Sequence, residues 1–185
     1  MKAGINRRQF MQQSLVGAAA APLVADVLGR EAEGADASTQ AVSPNDRIQV
    51  GMIGVGARTL SRFGLLEATL EVAGVEVVGV CDAYKGRVTR ALENLRGRAK
   101  DYRDYRTMLA DPSIDAVVIS TPDHWHKPMT LEALAAGKDV YLEKPMTFAI
   151  DEGPAMIATA EKSGRILQVG SQGISSRLQQ TAGRS

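Results

Sequence analysis

Lys144 stands between Glu143 and Pro145 at the end of a short apolar run, Val140-Tyr141-Leu142. A polar-aromatic stretch, Thr121-Pro122-Asp123-His124-Trp125-His126, follows another run, Ala116 to Ser120. Two such ends with a helical stretch between them predict neighbouring strands. Their C-termini would line one crevice, the place where open parallel sheets bind ligands. A partly desolvated lysine there could exchange a proton with a substrate hydroxyl, because burial and a nearby cation both lower an amine's pKa. It could equally donate a hydrogen bond to a developing alkoxide. The alternative is a surface lysine paired with Glu143; the strand-end position argues against it. His124 and His126 are the only histidines. Two imidazoles two residues apart, with no third ligand in view, fall short of a zinc site, so no metal is expected. Trp125 suits either a cofactor or sugar face or the packing of a core.

The elements that must position these residues follow from hydrophobic periodicity. Ile48 to Ile53 reads as a buried strand and 57–72 as a helix, with Leu60, Phe63, Leu66 and Leu70 on one face. Val75 to Cys81 is a second strand, followed by a helix over 84–97. A short helix at Tyr105–Ala110 stops before Asp111-Pro112. Strand Ala116–Ser120 leads to a helix over 128–136, with Pro128 at its first position and Gly137 just past its end. After strand Val140–Leu142 comes a helix over 151–163, with Asp151 and Glu152 at the positive end of its dipole. Gly164 closes that helix, and Ile166–Val169 is the last strand. Strands separated by helices predict an α/β chain, a Rossmann-type doubly wound parallel sheet with right-handed crossovers.

The first strand–helix junction is Gly51-Met52-Ile53-Gly54-Val55-Gly56-Ala57-Arg58-Thr59. Gly54 and Gly56 fit the first two positions of a G-x-G-x-x-G loop: one permits the tight turn, the other lets backbone approach a pyrophosphate. Ala57 and Arg58 then open a helix whose N-terminus favours an anion. Thr59 replaces the third glycine, which predicts looser helix–strand packing. A plain tight turn is the alternative, but the place between strand and helix favours a dinucleotide. Asp82 ends the second strand, 23 residues after Thr59. Its carboxylate could accept hydrogen bonds from adenosine ribose hydroxyls and repel a 2′-phosphate, which favours NAD. Lys85 and Arg87 lie close behind and could tolerate that phosphate, so NADP stays possible. Asp82 could otherwise be a turn residue. Cys81 sits at a buried strand end and is expected to be inert.

Composition narrows the classes further. With 22 Lys and Arg against 21 Asp and Glu there is no basic excess, so nucleic acid is not an expected partner. One cysteine rules out an internal disulfide framework. No apolar run reaches the roughly 18 residues of a membrane span. The N-terminus is different in kind. Asn6-Arg7-Arg8-Gln9-Phe10-Met11 precedes an Ala-rich apolar stretch, Leu15 to Ala25. Paired arginines before a short h-region resemble a twin-arginine export signal. Residues 1–37 are therefore expected to be a signal peptide read by the twin-arginine export machinery, with the protein periplasmic. Residues 38–46 read as a linker, 47–174 as the NAD(P)-binding domain, and 175–185 as the start of a crossing segment that includes a helix over Ser175–Gln180.

Taken together these residues resemble the Gfo/Idh/MocA oxidoreductases. The matching pieces are the Gly51–Gly56 loop, Val80-Cys81-Asp82, Asp104-Tyr105-Arg106-Thr107-Met108-Leu109, Thr121–His126, Glu143-Lys144-Pro145 and Val169-Gly170-Ser171-Gln172. The resemblance covers residues 47 to about 180. It implies a Rossmann domain followed by an α+β domain with an open sheet that holds much of the substrate site and mediates oligomers. It also implies that Thr121, Pro122, His124 and His126 belong to the loop beside the nicotinamide half. Glu143 would contact the nicotinamide ribose, and Lys144 would be the catalytic or substrate-positioning lysine, followed by a Pro145 that is often cis. The family pattern continues for a further domain of roughly 150–250 residues, so its substrate domain is expected to be missing from this chain. The expected function is an NAD(P)-dependent oxidoreductase acting on CH–OH groups of sugars or polyols, with this 185-residue form inactive by itself. Homo-oligomers are expected only with the second domain. Two alternatives stand beside it: a dinucleotide-binding module without turnover, and a glycosidase that uses bound NAD.

Overall fold

The computed structural model of the chain describes residues 46–62 and 64–171, which lie, Asp46 apart, in the compact unit that begins at Arg47. The predicted export signal, nearly all of the linker, Phe63 and the predicted helix Ser175–Gln180 lie outside the described residues. Six strands form one sheet: β1 (Ile48–Ile53), β2 (Val75–Cys81), β3 (Lys100–Asp101), β4 (Ala116–Ile119), β5 (Asp139–Glu143) and β6 (Leu167–Gly170). Their order is β3-β2-β1-β4-β5-β6, and every pairing is parallel. This is the Rossmann order, with its switch point between β1 and β4.

Register explains which residues are buried. Ile53 pairs with Cys81 and Ile119, and Ile119 with Leu142, so these four share one face. That face carries the main core, together with Val117 and Val140. Three helices cover it: α4 (Tyr105–Leu109), α5 (His126–Ala135) and α6 (Gly153–Ser163), contributing Tyr105, Met108, Met129, Leu134 and Met156. Paired glycines make room there. A side chain on Gly51 would come within 2.5 Å of the Met108 sulfur, and one on Gly79 within 2.7 Å of the Tyr102 ring. The adjacent row, Met52, Val80 and Val118, points to the opposite face and is also buried.

The predicted strands all form, within a residue or two at each end. The predicted helix over 57–72 does not form as one. It is split into α1 (Ala57–Leu60) and α2 (Leu65–Leu70). Ser61 is extended (φ −69°, ψ 160°), and Gly64 packs so closely that a Cβ would come within 2.5 Å of the Thr59 carbonyl oxygen. Helix α3 (Lys85–Asn94) is shorter than the expected 84–97. Helix α5 begins two residues before Pro128, which falls in its first turn, where a missing N–H costs nothing. A 3-10 turn, Asp123–Trp125, leads into it, and another, Ile150–Glu152, leads into α6.

Candidate functional site

The C-terminal ends of β1, β4 and β5 lie side by side, and the predicted site residues leave from them. After β1 the chain turns at Gly54, whose φ of +87° favours glycine. The turn is pinned on several sides. Gly54 N–H donates to the Cys81 carbonyl (2.8 Å), and the Thr59 hydroxyl donates to the Gly54 carbonyl (2.8 Å). A Cβ on Gly54 would overlap the Ser120 carbonyl oxygen at the end of β4. Thr59, where a third glycine was expected, is buried at 1% exposure and ties helix α1 back onto the loop. The packing is tight there rather than loose, because the hydroxyl finds a backbone acceptor.

Asp82 has a second job. Its Oδ2 accepts from Val55 N–H (2.9 Å) and its Oδ1 from Tyr84 N–H (2.8 Å). The carboxylate therefore fastens the phosphate loop to the end of β2 and also shapes the turn into α3. The Arg87 guanidinium stands 3.7 Å from Oδ1 and 3.6 Å from the Cβ position of Gly56. Ala57 and Arg58 are exposed at the start of α1. Arg58 reaches across the strand ends, its Nε donating to Glu143 Oε1 at 2.7 Å, with the Glu143 side chain only 7% exposed. Arg87 thus stands beside Gly56, while Arg58, two residues on, is directed to Glu143. Cys81, just before Asp82, has its thiol pushed up to about 11 by burial, then by the charges of Asp104, Asp82 and Asp101. It is a buried neutral thiol in the neutral range.

Beyond β4, Thr121 presents a hydroxyl that is buried and makes no hydrogen bond. Pro122 is exposed and opens the 3-10 turn, its carbonyl accepting from Trp125 N–H (2.9 Å). His124 and Trp125 are exposed on that turn, their ring centroids 6.0 Å apart. His126 turns the other way: it is 1% exposed, with Nδ1 2.6 Å from the Pro145 carbonyl oxygen and Nε2 2.9 Å from that of Thr121. Lys144 and Pro145 are exposed beyond β5, and the peptide between them is cis. Among the described residues no cluster of three or more His, Cys, Asp or Glu gathers to hold a metal.

The structure therefore brings Gly54, Gly56, Arg58, Thr121, Glu143 and Lys144 to one edge of the sheet, with Asp82 and Arg87 beside them. Sequence reasoning missed the Arg58–Glu143 pair, the tie from Asp82 to the loop and the inward turn of His126. Each is a contact across 5 to 85 positions that no local pattern signals.

A dinucleotide fits these residues on two structural grounds. The Gly56 Cβ position is open apart from Arg87, which leaves room for a pyrophosphate close to the backbone. The orphaned Thr121 hydroxyl is a hydrogen-bonding group waiting for a partner at the crevice. Arg58 and Arg87 would face the phosphates, Asp82 the adenosine ribose and Glu143 the second ribose.

Known proteins give the same answer. Residues 48–171 match the oxidoreductase family with an NAD-binding Rossmann fold known as Gfo/Idh/MocA. A glycosyl hydrolase family 109 protein 2 from Shewanella sp. (strain ANA-3) is 33% identical over 177 aligned residues, spanning 88% of this chain and 38% of that protein. An alpha-N-acetylgalactosaminidase from Shewanella oneidensis is 32% identical over 180, spanning 86% and 38%. Among solved structures, the WlbA dehydrogenase from Chromobacterium violaceum, crystallised with NADH and UDP-GlcNAcA, is 29% identical with a TM-score of 0.66, covering 75% of this chain and 39% of that one. A 3-ketoreductase from Actinomadura kijaniata, crystallised with NADP and TDP-benzene, is 27% identical with a TM-score of 0.66, covering 74% and 41%. The chain spans little more than a third of the length of the curated relatives it matches. With the parallel sheet, the glycine loop and these matches together, the chain belongs to the Gfo/Idh/MocA oxidoreductase family and supplies its NAD-binding Rossmann domain.

Proposed function

We propose that this domain forms the cofactor-side wall of an enzyme that works on CH–OH groups of a sugar or polyol, with Lys144 handling the hydroxyl proton. One observation carries the reading: Lys144 leaves the C-terminal end of β5 beside the Thr121 loop, one strand from the switch point of the sheet. When bound, the nicotinamide accepts or returns a hydride. The chain's own part is to seat the nucleotide through Gly54, Gly56, Arg58 and Glu143, and to hold or move a proton at the Lys144 amine. The exposed Trp125 ring offers an apolar face to a sugar ring at the mouth of the crevice.

A second reading is favoured by the names of the relatives. Several proteins 31–33% identical to this chain are glycosyl hydrolase family 109 proteins. In that reading the same wall serves a glycosidase that oxidises, eliminates and reduces in turn on one bound NAD, an exception to the two-carboxylate scheme. Both readings use a retained cofactor. Retention also suits the Arg7-Arg8 leader, since the proposed export of a folded protein would carry its nucleotide along.

The test has two arms. The purified 185-residue protein is denatured and its supernatant assayed for NAD(H) and NADP(H), with nucleotide expected. The protein at its relatives' full length is then offered free sugars and aryl glycosides. Sugar oxidation that depends on an added electron acceptor supports the first reading; glycoside cleavage with no net change in bound NAD supports the second. No nucleotide in either form and no turnover by the longer one refute both.

A further inference from the structure

His126 is a described side chain whose geometry the cofactor site does not use. Its ring is buried, and each nitrogen faces a different backbone carbonyl: Thr121 in the loop after β4, Pro145 in the loop after β5. The β4–β5 ladder runs from Ala116 and Asp139 to Ile119 and Leu142. Beyond it the imidazole bridges the two loops at the point where Lys144 leaves the sheet. Both partners are acceptors without a proton to give. A neutral imidazole donates from one nitrogen only and turns a lone pair toward the other carbonyl, whereas the imidazolium donates to both.

We propose that His126 is a positioning residue: it clamps the Lys144–Pro145 segment to the Thr121 loop, one ring nitrogen at each carbonyl. The nucleotide is not its partner. The inference rests on Lys144 as the proton-handling group for its functional meaning, though the clamp itself stands apart from that. Several charged or titratable groups lie on the elements that meet at the ring, Asp139, Tyr141 and Asp151 among them. Asp123 and His124 lie in the 3-10 turn, and Lys127 and Glu132 on α5. Glu143, bound by Arg58, and Lys144 lie at the end of β5. Glu152, ahead of α6, accepts from Phe148 and Ala149 N–H. Of these, Glu152 holds the far side of the same loop, so His126 and Glu152 fix the Lys144 segment from its two flanks.

The experiment is hydrogen exchange of the 185-residue protein, its H126Q and H126F variants, and K144A, read as protection factors with and without NADH. In the unaltered protein, both loops, 120–125 and 144–149, are expected to be protected together. H126Q, whose shorter side chain cannot span both carbonyls, is expected to lose protection in both loops. Losing the two hydrogen bonds predicts a drop on the order of 10- to 100-fold in H126F, confined to these loops, with β1 and the phosphate loop unchanged. Should H126F fail to fold, H126Q still decides. Loosening of one loop alone, equal loosening everywhere, or an effect seen only with NADH overturns the clamp. K144A keeps the exchange pattern if the clamp is right. Whether the same change at full length abolishes turnover tests the reading of Lys144 separately.

Discussion

Gly54 and Gly56 sit two residues apart in the same loop, yet an added methyl group should harm them in opposite ways. At Gly54 the backbone φ of +87° costs a non-glycine residue about 1–2 kcal/mol. The new Cβ would also overlap the Ser120 carbonyl oxygen and lie 2.7 Å from the Ser120 carbonyl carbon. Neither backbone can yield cheaply, since Ser120 N–H is bonded to the Ile53 carbonyl (2.8 Å) and Gly54 N–H to that of Cys81 (2.8 Å). Forced displacement of packed groups adds about 1–3 kcal/mol. G54A should therefore lose about 2–5 kcal/mol in urea unfolding, and nucleotide affinity with it. Gly56 has an ordinary φ of −82°, and its added Cβ would meet only the Arg87 guanidinium, at 3.6 Å. G56A should stay within about 0.5 kcal/mol of the parent. The methyl group would instead occupy the space a pyrophosphate needs, so NADH affinity should fall at least about tenfold. Urea melts and NADH fluorescence titrations on both variants settle the matter. If G56A proves as unstable as G54A, or binds NADH normally, the assignment of one glycine to the fold and the other to the ligand is wrong.

Three further outcomes follow from contacts away from the glycines. R58A should cost about 1–3 kcal/mol, because the Glu143 side chain is nearly buried and loses its guanidinium partner; E143Q, which keeps an acceptor, should cost less. Urea midpoints measure both. The Cys81 thiol, held up near 11, should resist iodoacetamide at pH 8 until the protein unfolds, at which point labelling becomes rapid. In the unfolded chain the thiol ionises first, so this group makes stability fall as pH rises from about 9 toward its folded value. Asp111 is held well below the usual carboxylate range, first by the Tyr102 hydroxyl (2.6 Å), then by the Ser113 hydroxyl and N–H. Its contribution is complete above the unfolded value near 3.9 and is lost as pH falls toward the depressed one. The urea midpoint of D111N should thus vary less than that of the parent between pH 2 and 5.

The strands were legible because each is a short apolar run bounded by polar residues or glycine, and a fully paired parallel sheet buries such runs on both faces. β3 was not: Lys100 and Asp101 are exposed at the sheet's edge and carry no apolar signal. The 57–72 helix was misread because its apolar spacing persists across a break made by tertiary contact. Gly64 must approach Thr59, and periodicity is blind to that approach. The glycine turn, Asp82 and the two strand ends could be picked out as a site from type and place. What each carboxylate binds could not. Asp82 is fastened to Val55 and Glu143 to Arg58 through distances in space, not in sequence. His126 shows the same limit, since two histidines side by side look alike until one is found facing inward.

The pairing of β1 with β4 brings together residues far apart in order of synthesis. Met52 lies against Val118, 66 positions further along, whereas its partner on the other side, Val80, is only 28 away. The glycine turn leaves one of these strands and the Thr121 loop the other. A growing chain emerging from the ribosome can thus form β1, β2 and α3 early, but has no crevice until β4 and β5 have also emerged. Nucleotide capture therefore waits on β5, and a nascent chain halted before residue 144 should fold in part and bind nothing.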